Sequence, residues 1–194
     1  MMRRLAAALV FLLAMELAGG STAPEAQEAD PWTLEDLAWL VGGTWVAGGA
    51  TAAGTPATTE VVYRWTSGRK AIAYSLVRRD QTGAVDTTLE GLCAWHPEQQ
   101  RVVLWEVDSQ GNVTEGVFGE GGHLDEVIHG ADGTRRPVRS VIVRRGDGRF
   151  RFTASVERGG AWVTVFEADY SRKPGRGPAA GQEPPVPGSG LAGS

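Results

Sequence analysis

The sequence predicts an all-β fold: a closed up-and-down antiparallel barrel of about ten strands, preceded by one short helix. Three observations point there. From Thr44 onward, runs rich in Val, Thr, Ile and aromatics alternate with polar residues at period 2. Turn signals recur every eight to twelve residues, the spacing of a sandwich or barrel. No helical stretch intervenes to carry parallel crossovers, and closing a long meander removes its two exposed edges.

The helix comes first. Thr33 is placed to cap it, Glu35 and Asp36 occupy the first turn where the helix dipole favours acids, and Leu34, Leu37, Trp39 and Leu40 form an apolar stripe. Gly42-Gly43 ends it. The strands read as 44–50, 59–66, 69–79, 85–95, 101–108, 112–119, 123–129, 136–145, 149–158 and 161–170. Ser67-Gly68, Thr82-Gly83, His96-Pro97, Gln110-Gly111-Asn112, Asp132-Gly133, Asp147-Gly148 and Gly159-Gly160 supply turn chemistry between them.

Alternation assigns inward faces: Val61, Tyr63 and Trp65; Ile72, Tyr74 and Leu76; Phe150, Phe152, Ala154 and Val156; and Trp162, Thr164, Phe166, Ala168 and Tyr170. Such an aromatic set is compatible with a packed core and with a cavity suited to a flat apolar ligand.

The ends of the chain differ in texture. Arg3 and Arg4 precede an apolar run, Leu5 to Leu17, broken only by Glu16, and Ala18-Gly19-Gly20 offers small residues for cleavage; residues 1–20 read as a signal peptide. The run is shorter than the roughly 20 residues a spanning helix needs, so no integral membrane segment is expected after cleavage. Residues 21–31 read as a flexible leader, 32–173 as the barrel domain, and 174–194, rich in Pro and Gly, as a disordered tail. The expected location is therefore the periplasm or the exterior.

Charge excludes one class of partner. Loss of residues 1–20 leaves 17 basic and 22 acidic side chains, net −5, which suits neither nucleic acid nor anionic membranes. Cys93 is the single cysteine, so packing without an internal disulfide must hold the fold. Arg135, Arg136, Arg139, Arg144, Arg145, Arg149 and Arg151 read as the solvated face of one hairpin, or as a docking patch for an acidic protein partner.

The stretch from Leu37 to Trp45, a short helix running into Gly43-Thr44-Trp45, resembles the Gly-x-Trp opening of lipocalin-like (calycin) barrels and of the nitrobindin-like ten-stranded bacterial barrels. Gly91-Leu92-Cys93-Ala94-Trp95-His96-Pro97, followed by Val103 to Gly111, is similar to a hairpin of exported bacterial domains of unassigned function in that superfamily. The resemblance implies structural roles for Gly43 and Trp45. It also implies that Arg172, just after the last strand, packs across Trp45 and bonds carbonyls of the nearby helix. Nitrobindin-like barrels hold haem through a histidine on a late strand, and strands 149–158 and 161–170 contain none, which disfavours haem. His123 and His129 share a strand face that reads as solvated or as a metal or haem site; His96 reads as a turn residue.

No catalytic residues are assigned: Gly-x-Ser-x-Gly, a phosphate-cradling loop and paired metal-ligand spacing are all absent, and mid-strand Cys93 reads as an inert core thiol. The sequence reading is a non-enzymatic, exported barrel that binds a small apolar molecule. The ligand is expected to enter opposite Trp45 and to touch Tyr63, Trp65, Tyr74, Trp105 and Phe152. Its alternatives are a haem-binding enzyme or sensor and a protein-interaction module with a filled core.

Overall fold

A computed structural model describes residues 32–50 and 54–173. The expected signal peptide, leader and tail (1–20, 21–31 and 174–194) lie outside the described residues. Ten strands close into one antiparallel barrel, each paired with its neighbours in sequence and the last with the first. They are β1 (Thr44–Ala50), β2 (Pro56–Trp65), β3 (Ala71–Asp80), β4 (Val85–His96), β5 (Arg101–Asp108), β6 (Val113–Phe118), β7 (His123–His129), β8 (Arg135–Arg144), β9 (Arg149–Arg158) and β10 (Ala161–Lys173).

The helix is short. α1 (Leu34–Leu37) continues as a 3₁₀ turn, Ala38–Leu40. The Asp36 carboxylate accepts from the Thr33 N–H at 2.7 Å and from its hydroxyl at 2.8 Å, fixing the first turn. Leu37 and Leu40 are buried and cap one end of the barrel. At the same end, Trp45 is 1% exposed and its indole N–H donates to the Leu40 carbonyl at 2.7 Å. Trp39 meets Trp45 edge-on at 5.7 Å, Phe150 packs at 4.9 Å from Trp45, and Phe150 stacks on Tyr170 at 4.6 Å. This aromatic plug closes the floor.

One strand, β10, differs from the sequence reading in two ways that matter. The last strand runs to Lys173, beyond the expected end at Tyr170, because β1 is there to pair with it: Thr44 with Lys173, Trp45 with Arg172, Val46 with Ser171. Within β10, a register shift between Thr164 and Phe166 inserts Val165 as a bulge. A bulge reverses the side-chain alternation on either side of it. Trp162 and Thr164 are therefore outside the barrel, contrary to simple period 2. Thr164 faces Ser155, and the Arg139 guanidinium lies 4.3 Å over the Trp162 ring.

Candidate functional site: a cavity with two buried carboxylates

Eight strands make a barrel that side chains just fill, so ten leave room inside. The interior holds a cavity of about 190 Å³ above the helix floor. Its wall is mostly apolar, with Val61, Ile72, Leu76, Leu104, Phe118 and Phe152 among its lining. Tyr63, Tyr74 and Tyr170 bring hydroxyls, Cys93 a thiol, and Glu106 and Glu126 carboxylates.

Of the five residues expected to touch a ligand, Tyr63, Tyr74 and Phe152 line the cavity. Trp105 does not. It is 41% exposed on the outer wall, paired with Leu92 and Glu115. Val102 to Trp105 are apolar at four consecutive positions, so alternation there cannot choose a face. Pairing with β4 decides it, setting Leu104 opposite Cys93 inside the barrel. Trp65 has the inward parity of β2 but stands at the strand's end, past the cavity, with the Arg69 guanidinium 4.6 Å over its ring.

The carboxylates were not singled out by sequence reasoning. Glu106 follows Leu104 at the inward spacing on β5, and Glu126 follows Leu124 on β7. Two glycines make space for them. Tyr74 is paired with Gly91 and crosses over it; a Cβ at Gly91 would lie 2.2 Å from the Tyr74 ring. The Tyr74 hydroxyl thus reaches the next strand and donates to Glu106 at 2.5 Å. Glu126 lies over Gly116, where a Cβ would stand 3.0 Å from its Cγ. Ser140, almost fully buried, donates its hydroxyl to Oε2 of Glu126.

Burial sets the chemistry of these groups. Desolvation raises the Glu106 pKa, although hydrogen bonds from Tyr74 and Thr114 oppose it. Desolvation pushes Glu126 up to about 7, against the Ser140 hydrogen bond and with the help of the charges of Glu106 and Asp125. Glu126 therefore feels the charge of Glu106. Burial also raises Tyr63 and Tyr74, and drives the Cys93 thiol far from its reactive form. Tyr170 is pushed up to about 12, chiefly by burial.

The other candidate groups lie elsewhere. None of the three histidines lines the cavity. His123 is exposed on the outer wall, His129 Nε2 stands 3.8 Å from Glu115, and His96 Nδ1 accepts from the Gln99 N–H in the β4–β5 turn. Among the described residues, no group of three or more His, Cys, Asp or Glu could hold a metal ion. No described helix is long and apolar enough to cross a membrane. Three of the seven arginines of that face are in ion pairs: Arg139 with Asp125, Arg144 with Asp147, and Arg151 with Asp169 and Glu167.

No protein-family model matches the chain, and no curated protein matches it. Among solved structures, it is similar to Rv2717c from M. tuberculosis, at 18% identity and a TM-score of 0.51, covering 72% of this chain and 96% of that one. At that identity the likeness establishes the barrel fold.

Proposed function

We propose that this protein is a small-molecule carrier or sensor of the lipocalin-like kind, holding a compact ligand inside the barrel. One observation carries the reading: a cavity of about 190 Å³, walled by apolar side chains and floored by Leu37 and Leu40. An apolar cavity of roughly 150 Å³ is enough to take up benzene, so this one accommodates a single ring with a short substituent. Tyr63, Tyr74 and Phe152 provide the aromatic surface for such a ring. The helix floor and the Trp45 plug leave the opposite end of the barrel as the route of entry. The proposal includes export, on the strength of the N-terminal sequence; mass spectrometry of extracytoplasmic material should find a chain starting near Ser21.

The test is a titration with benzyl alcohol followed by ligand-observed NMR. Wild type should bind it saturably. Leu76→Phe should weaken binding several-fold, because Leu76 faces the cavity and a larger side chain can extend into it without displacing packed neighbours. Equal binding by both proteins would place the probe somewhere other than the cavity.

A further inference from the structure

Most of the cavity wall is what an apolar ligand needs, and two residues are not. Glu106 and Glu126 come in from β5 and β7 with β6 between them. On β6, Thr114 is paired with Glu106 and Gly116 with Glu126. The missing side chain at Gly116 is what lets Glu126 fold against the wall. Both acids are thus built into the lining, on rigid strands, rather than left on a loop.

Their hydrogen-bond partners are neutral hydroxyls. Hydroxyls of Tyr74 and Thr114 serve Glu106, and the Ser140 hydroxyl serves Oε2 of Glu126. Glu126 is only 9% exposed and lines the cavity. No Lys, Arg or His among the described residues pairs with either acid. A buried carboxylate without a counter-charge is unfavourable, and two facing one cavity are worse. An apolar ligand leaves that situation unrelieved. A ligand carrying a cation relieves it, because its N–H donors reach carboxylate oxygens in a site with little competing water.

We infer that the cavity selects a small cationic ring compound, an arylalkyl amine or aryl amidine, with its ring among Tyr63, Tyr74 and Phe152 and its positive group between Glu106 and Glu126. The inference rests on the binding reading above and names the class of ligand. The neutral hydroxyl donors fix the two carboxylates in position and leave the charge itself for the ligand. The wall then divides the work: aromatic surface holds the ring and the acids choose its substituent.

Three probes of one shape test this: benzylamine, benzyl alcohol and benzoate, titrated at pH 8 and constant ionic strength into wild type, Glu126→Gln and Glu106→Gln. Wild type should bind benzylamine at least roughly tenfold tighter than benzyl alcohol, the scale of a charge-assisted hydrogen bond, and benzoate weakest. In either variant the ratio of benzylamine to benzyl alcohol affinity should fall toward one. Gln keeps the shape of Glu and can still accept from Ser140 or Tyr74, and having both variants guards against one that fails to fold. Benzyl alcohol binding as tightly as benzylamine in wild type overturns the inference while leaving the carrier reading in place. So does a ratio that neither variant changes. Saturable binding by none of the three overturns both.

Discussion

The Arg172 guanidinium lies 4.6 Å over the Trp45 ring, at the register position where the last strand meets the first. Its terminal nitrogen donates to the Trp39 carbonyl and to the Val41 carbonyl, the latter at 3.4 Å. The Arg172 stem passes over Gly43, where a Cβ would sit 3.0 Å from its Cγ and Cδ. One side chain therefore joins the closing strand, the plug and the helix floor. A cation–π contact contributes about 0.5–2 kcal/mol, and a hydrogen bond from a charged donor roughly 1.5–3. Arg172→Ala should lower stability by about 2–3 kcal/mol in urea denaturation. Benzyl alcohol affinity should stay unchanged, since Arg172 does not line the cavity. A loss under about 0.5 kcal/mol would show the contact to be decorative.

Gly91 offers a test of how the cavity wall is built. In an ordinary strand, Gly→Ala is neutral to stabilising, by up to about 1 kcal/mol. Here the new methyl would meet the Tyr74 ring at 2.2 Å. Gly91→Ala should cost about 2 kcal/mol in the wild-type background and close to nothing beside Tyr74→Leu, whose side chain is too short to cross position 91. Strict additivity in this double-mutant cycle would contradict the crossing.

The buried acids set a pH dependence of the opposite sense to the usual surface carboxylate. Glu126 titrates near 7 when folded and in the ordinary carboxylate range when unfolded. The folded state thus holds the proton longer. Below about pH 4 both states are protonated and the group contributes nothing; as pH rises towards 7 the penalty grows to at most about 3 kcal/mol and then levels off. Glu106 shifts the same way. Of the other titratable groups on the wall, Tyr63, Tyr74, Cys93 and Tyr170 are all raised and keep their protons through this window. Surface acids such as Asp80, Asp132 and Asp169 are lowered, so their contributions are lost only in more acidic solution. Between pH 5 and 8 the ligand-free protein should lose stability, and Glu126→Gln should flatten the profile. At pH 8 the variant should be the more stable protein. Parallel profiles for the two would show that Glu126 is not buried in the folded state.

The frame of this molecule was legible in sequence because local rules agree with the fold. Thr33 and Asp36 mark the helix start, Asp147-Gly148 and Gly159-Gly160 mark tight turns, and Phe150 and Phe152 alternate cleanly with arginines. What stayed hidden was set by partners far away in the chain. Trp105 sits in a run of four apolar residues whose face only β4 decides, and Trp162 lies beyond a bulge that alternation cannot announce. Glu106 and Glu126 stand out only once Tyr74, Ser140 and two glycines are seen around them. A signal was present all the same: each acid lies two residues from a Leu on the inward side, Leu104 and Leu124, and each strand partner on β6 is small.

The claim that binding happens inside the barrel is tested most directly by residue-resolved aromatic and methyl NMR during a benzyl alcohol titration. Tyr63, Tyr74, Phe152 and Leu76 line the cavity, whereas Trp105 stands on the outer wall with 41% of its surface exposed. The account predicts saturable shifts at the four lining residues with one common dissociation constant and no shift at Trp105. Saturable shifts centred on Trp105, with the lining residues still, would contradict it.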